Sequence, residues 1–233
     1  MTWLWGICFS ALLIGPACAA PVSGRVQLAD SKVRKHDYSG VVVWLEPADG
    51  GDAPLRPLHA RMKQKDKQFV PHVLAIQAGT DVSFPNQDPI FHSAFSNFSG
   101  QVFDLGLYAP LTNRTIVFER TGIVRVFCNI HPTMSAVIVV LKYPWFAVSG
   151  PGGAFEIPDV PPGGYQLHIF HERATPETLR ALSRRVQVGE AGAVLPPIAI
   201  SETGYLEMPH KNKYGHDYPP GSGESGLYPA ARK

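Results

Sequence analysis

Residues 123–141 restrict the fold more strongly than any other part of the sequence. Two runs rich in apolar and β-branched residues are joined by a short loop: 123–127, in which Arg125 is the one charged residue, and 136–141. The second run has no polar position, which predicts a strand buried on both faces, and residues 41–45 have the same character. Glycine and proline, at 22 residues each, favour short strands and turns over helices. These features predict an all-β protein.

The order of the strand-like segments predicts two β-sandwiches in succession. Residues 23–142 are interpreted as an antiparallel sandwich of seven or eight strands, and the sequence leaves open whether the residues before Val41 belong to it or pair with the second unit. Tyr143-Pro144-Trp145 ends this unit, because proline cannot continue a buried strand. The one helix is predicted to begin at Thr175 and Pro176. Beyond residue 202 the chain is polar and lacks apolar periodicity, so the predicted divisions are 20–143, 144–202 and a mobile tail at 203–233.

The N-terminal residues are typical of a secretory signal. An apolar stretch at 4–14 is followed by Gly15-Pro16 and by the small-residue cleavage pattern Ala17-Cys18-Ala19. We therefore interpret residues 1–19 as a signal peptide and expect a periplasmic or secreted protein, without stable membrane insertion of the mature chain. The mature chain would keep one cysteine, Cys128, and could form no internal disulfide. The net charge of +2 does not indicate nucleic-acid binding.

The loop after the first apolar run contains a thiol, an imidazole and a thioether at regular spacing. Cys128, His131 and Met134 stand at positions i, i+3 and i+6, and a second imidazole, His92, lies upstream. Soft and borderline ligands of this kind suit copper. Each residue also has an ordinary interpretation: a buried structural cysteine, a core methionine, a loop histidine, or a fragment of a zinc site that lacks its second cysteine.

The loop motif resembles that of the cupredoxins, above all their amicyanin and plastocyanin members. The shared pattern is Cys-x-x-His-Pro-x-Met preceded by an Asn-containing loop and a histidine; here Asn86 takes the place of that asparagine. The resemblance implies one type 1 (blue) copper ion held by His92, Cys128, His131 and Met134. Three positions depart from the pattern: Ser93, Asn129 and Ile130. The hydroxyl of Ser93 and the amide of Asn129 predict that a hydrogen-bonded link between the two ligand loops is retained.

A second motif lies in the predicted second unit. The phrase G-x-F-x-I-x-x-V-P-P-G-x-Y-x-L, from Gly153 to Leu167, resembles that of small transthyretin-like or carboxypeptidase-regulatory-like β-sandwiches. This resemblance implies a structural or binding role for residues 144–202.

Taken together, the motifs predict a carrier of single electrons between redox protein partners. Four protein ligands would leave no open position for a substrate, so the chain is not expected to be an enzyme. Two alternatives use the same ligands. One is a periplasmic copper carrier or buffer, and the other is a binding or scaffold protein whose copper site is structural.

Overall fold

The computed structural model describes residues 19–29, 37–55, 58–97, 100–204 and 210–219. The predicted signal peptide lies almost wholly outside these residues. The all-β prediction is confirmed, and the predicted helix begins at Pro176 with Thr175 as its N-cap. The elements in chain order are β1 (Ala20–Leu28), β2 (Val42–Pro47), β3 (His59–Arg61), β4 (Lys63–Lys65), β5 (Gln68–Val70), β6 (Val73–Gln77), β7 (Thr80–Ser83), β8 (His92–Ser96), β9 (Phe103–Tyr108), β10 (Thr115–Phe118), β11 (Gly122–Phe127), β12 (Ser135–Leu141), β13 (Phe146–Val148), β14 (Ala154–Val160), β15 (Gly163–Phe170), α1 (Pro176–Leu182), β16 (Arg184–Val188), β17 (Ala193–Val194) and β18 (Ile198–Ile200).

Strands β3 to β12 form the first sandwich. One sheet has the strand order β6-β12-β11-β8-β9, the other has the order β10-β7-β3, and β4 and β5 form a separate hairpin. The prediction of an antiparallel arrangement is wrong for two pairs, since β12 with β6 and β3 with β7 are parallel. The sequence also suggests a hairpin of β10 and β11. These strands instead lie in different sheets, because the chain crosses the sandwich between them.

Both sheets of the first sandwich contribute to one apolar core. Phe84 and Phe118 come from the side of the three-stranded sheet, and Val124, Val126 and Ile138 come from the five-stranded sheet. Alternate residues of β12 point to opposite sides and are buried on both. The prediction that residues 136–141 form a strand buried on two faces is thus confirmed.

The second sandwich contains β1, β2, β13 to β18 and α1. Its sheets have the orders β14-β1-β17, with β18 also paired to β1, and β13-β2-β15-β16. The predicted domain of residues 20–143 must therefore be corrected, since β1 and β2 belong to the second sandwich. The reason is that the inward residues of these strands, such as Val26 and Leu45, complete the core that Phe155, Ile157 and Leu167 begin.

A third apolar cluster joins the two sandwiches. Val137, Val139 and Leu141 on the outer face of β12 pack with Val42 of β2 and Phe170 of β15. This junction explains why residues 42–45 of β2 and 136–141 of β12 are all apolar: each strand has one face in its own core and the other face in the junction.

A polar contact borders the same junction. The Nε2 atom of His72 lies 2.9 Å from a carboxylate oxygen of Glu172, and these residues belong to different sandwiches. This pair adds an electrostatic link to the apolar one.

Within the part of the chain that the structure describes, no helix has the length and apolar character needed to cross a membrane.

Candidate metal centre

Two neighbouring strands deliver the predicted ligands to one end of the first sandwich. His92 is the first residue of β8, and Cys128 directly follows β11, which pairs with β8 through Phe127 and Phe95. The chain then turns back into β12. The amide of Cys128 donates to the carbonyl of Met134, and the amide of Met134 donates to the carbonyl of His131, each at 3.0 Å. These bonds close the loop of residues 128–134, which we call the ligand loop.

Three of the four predicted ligands meet in the structure. The Sγ atom of Cys128 lies 3.4 Å from Nδ1 of His131 and 3.9 Å from Nδ1 of His92, and the two nitrogens are 3.1 Å apart. All three ligand atoms lie within 4.8 Å of one another. Met134 is buried in the same core cluster as Cys128. Its role as a fourth ligand stays a prediction.

The electrostatic environment of Cys128 fits a metal ligand. Burial would raise the pKa of the thiol, but hydrogen bonds from His131, from His92 and from the backbone at Ile130 and Ser93 outweigh burial and lower the pKa to about 5. The side chain is therefore a thiolate at neutral pH. Thiolate is the form that binds metal ions. A thiolate with two imidazoles is the donor set that suits copper, so these residues fit the implied ion.

A buried carboxylate, which the sequence analysis did not select, orients His92. The Nε2 atom of His92 lies 2.7 Å from Oδ2 of Asp88, so Nε2–H donates to the carboxylate, and Nδ1, which faces Cys128 and His131, is the atom that would bind a metal. Asp88 also accepts hydrogen bonds from the amides of Asp66 and Lys67, at 2.7 and 2.9 Å. Its own amide donates to Oδ1 of Asn86. An acidic residue four positions before a predicted histidine ligand is the signal that could have identified it.

Asp88 remains ionised although it is buried. Burial alone would raise the pKa of this carboxyl group, but the hydrogen bonds from Lys67, His92 and Asp66 together hold the pKa below its usual value. The contact with His92 is thus a charge-assisted hydrogen bond, which is stronger than a neutral one.

The predicted link between the region of His92 and the ligand loop is present. The amide of Asn129 donates to Oγ of Ser93 at 2.7 Å, and this hydroxyl in turn lies 3.7 Å from Sγ of Cys128. Because the backbone amide of Asn129 makes the link, its side chain is available for another contact.

Part of the predicted tail lies against the ligand loop. The side-chain Oδ1 of Asn129 accepts from the amide of Lys213 at 2.9 Å, and the hydroxyl of Tyr218 donates to the carbonyl of Cys128 at 3.0 Å. Residues 210–219 thus make specific polar and aromatic contacts that the sequence analysis did not predict, while the mobility of the tail stays a prediction. Residues 205–209 and 220–233 lie outside the described residues.

Comparisons with known proteins find similarity to copper proteins over part of the chain. The copper-containing nitrite reductase of Thermus scotoductus is 27% identical, with 42% of this chain and 25% of that chain covered and a TM-score of 0.35. A purple cupredoxin from Nitrosopumilus maritimus is 23% identical, with 35% and 99% covered and a TM-score of 0.32. Amicyanin from Paracoccus versutus is 18% identical, with 44% and 98% covered and a TM-score of 0.34. No family model and no curated protein matches the chain.

This chain spans only a quarter of the length of the nitrite reductase. In this chain the group of His92, Cys128 and His131, of which the first two are buried and His131 is half-buried, could hold a metal ion. The likeness of the second sandwich to transthyretin-like domains stays a prediction.

Proposed function

We propose that this chain is an exported type 1 copper protein that carries single electrons between redox protein partners. The observation that supports the proposal is the convergence of Cys128, His92 and His131, whose ligand atoms lie within 4.8 Å of one another at one end of the first sandwich. Met134 would be the fourth ligand, through its thioether sulfur. Copper, when bound, supplies a one-electron couple between Cu(II) and Cu(I).

The residues around the proposed site keep the ligands in place during electron exchange. Asp88 fixes the ring of His92 from behind, and Ser93 connects the strand of His92 to the loop of Cys128. Both His92 and Cys128 are fully buried, which excludes water from one side of the site. A donor set that does not rearrange favours fast transfer, because little reorganisation accompanies the change of charge.

His131 is the proposed route for electrons to and from a partner. It is partly exposed, whereas His92 and Cys128 are buried. With four protein ligands in place no position is open for substrate, so we propose a carrier and not an enzyme. Export of the chain is proposed from the signal-like residues 1–19.

Redox cycling tests the proposal against delivery of copper to another protein. We expect the copper-loaded chain to be reduced and reoxidised reversibly in voltammetry, with all of the copper still bound after repeated cycles. His59, whose side chain is 87% exposed, provides a matched control. Replacing His59 with Gln should leave the redox response unchanged, whereas His131→Gln should abolish it.

Loss of copper upon each reduction would contradict electron transfer and would favour the carrier or buffer alternative. A copper ion that is retained but not reducible would favour the structural alternative.

A further inference from the structure

Residues 210–219 contact three consecutive residues at the metal centre. The ring of His210 stacks on Phe127, with ring centroids 4.3 Å apart and an interplanar angle of 24°. Tyr218 bonds the carbonyl of Cys128, and Lys213 bonds the side chain of Asn129. Residues 210–219 thus contact Phe127 at the end of β11, the proposed ligand Cys128 and the next residue, Asn129.

The segment has a folded conformation of its own. The side-chain Oδ1 of Asn212 accepts hydrogen bonds from the amides of Tyr214 and His216, at 3.0 and 3.1 Å. The amide of Asn212 donates to the carbonyl of His216, and the amide of Gly215 donates to the carbonyl of Asn212. This turn fixes the spacing between Lys213 and Tyr218, so both can bond the ligand loop at the same time.

A further contact ties the segment to the sheet beside the site. The Nζ atom of Lys213 lies 2.8 Å from a carboxylate oxygen of Asp104 in β9. Lys213 therefore connects β9 and the ligand loop, one through its side chain and the other through its amide.

We propose that residues 210–219 are a clasp that retains the metal ion by holding the ligand loop closed. The backbone of Cys128 is bonded on one side to the carbonyl of Met134 and on the other side to the clasp. Opening of the ligand loop requires the clasp contacts to break first, so release of the ion is slowed by the cost of breaking them. The inference rests on the proposed copper site and adds a role for the C-terminal segment.

The test measures the rate at which the copper-loaded chain gives up Cu(I) to an excess of a Cu(I)-specific chelator. Tyr218→Phe keeps the ring and removes only the hydroxyl that reaches Cys128. We expect release to be about two- to tenfold faster, the effect of one hydrogen bond. A chain that ends at Gly204 should release copper faster still.

Tyr165→Phe is the matched control. The hydroxyl of Tyr165 donates to the carbonyl of Pro161 at 2.8 Å, so this variant loses the same kind of bond in the second sandwich. Release that is equally fast in both tyrosine variants, or unchanged in Tyr218→Phe, would overturn the proposal.

Amide hydrogen exchange gives a second readout that needs no metal. The amides of Cys128 and Met134 close the ligand loop, so their protection in the copper-free protein should fall in Tyr218→Phe and not in Tyr165→Phe. Unchanged protection overturns the clasp even when copper binds as proposed. If copper does not bind at Cys128, the proposed function and copper retention both fail, while the exchange data still show whether the segment holds the loop.

Discussion

Replacing Asp88 with Asn is the most informative single change at the proposed site. Asparagine keeps an oxygen that can accept the proton of His92 Nε2, so the ring can remain in place, but the negative charge is lost. The carboxylate is 2.7 Å from that nitrogen, and the two side chains are 8% and 0% exposed. Solvent and salt therefore screen the interaction weakly.

The direction of the effect follows from charge. A carboxylate on the far nitrogen makes the imidazole of His92 a better donor, and this favours Cu(II) over Cu(I). Loss of such a partner typically costs about 10- to 100-fold in metal affinity. If that loss falls on Cu(II), the reduction potential of the Asp88→Asn protein should rise by roughly 60 to 120 mV, since a tenfold change in a one-electron equilibrium is about 59 mV.

Voltammetry of the copper-loaded proteins measures the shift. Asp81→Asn is the control, because it removes one negative charge from the same sandwich at a side chain that is 38% exposed and pairs with His59. A rise in potential for Asp88→Asn that exceeds the change for Asp81→Asn supports the reasoning. Equal shifts in the two variants would refute it, since the effect would then belong to net charge and not to the contact with His92.

Three further changes test other parts of the structure. Ser93→Ala removes a hydroxyl that lies near the sulfur of Cys128. A hydrogen-bond donor to the sulfur favours Cu(I), so voltammetry of this variant should show a lower reduction potential, a shift opposite in sign to that of Asp88→Asn. A higher reduction potential would contradict the contact between Ser93 and Cys128. His72→Gln breaks the pair with Glu172, whose hydrogen bond raises the pKa of His72 and lowers that of Glu172. The pair stabilises the fold fully between pH 4.5, the usual pKa of the glutamate, and pH 6.5, the usual pKa of the histidine. The stabilisation is lost as the pH rises through the raised pKa of His72. Urea unfolding should therefore show a loss below about 1 kcal/mol near pH 6 that shrinks toward pH 8, whereas a difference that grows with pH would be inconsistent with the pair. Gly153→Ala should lower the free energy of unfolding, measured by thermal unfolding, by about 2 kcal/mol or more. Gly153 has φ of +77°, and a Cβ atom there would overlap a carbonyl oxygen of β1. An unchanged stability would contradict the placement of β1 in the second sandwich.

Local features of the sequence were predictable because their signals are local. The uninterrupted apolar runs of β2 and β12 correctly predict strands buried on two faces. Thr175 before Pro176 correctly predicts the start of the helix. The spacing of Cys128 and His131 places them on one tight loop, and the structure brings His92 to them from the neighbouring strand.

Long-range features could not be predicted in the same way. β1 pairs with β14, although more than 120 residues separate them, and no local pattern distinguishes this partner from a strand of the first sandwich. The contacts of residues 210–219 depend on single groups, such as the hydroxyl of Tyr218 and the amide of Lys213, and not on an apolar periodicity. Asp88 acquires its role only because the fold buries it against His92.

The central claim is that a thiolate and two imidazoles form a type 1 copper site. Its most direct test is the optical and EPR spectrum of the chain after addition of Cu(II), with Cys128→Ser as the comparison. We expect an intense visible thiolate-to-copper band and narrow hyperfine splitting, both absent in Cys128→Ser. A weak tetragonal copper spectrum that is the same in both proteins would contradict the claim and would make Cys128 a buried core residue.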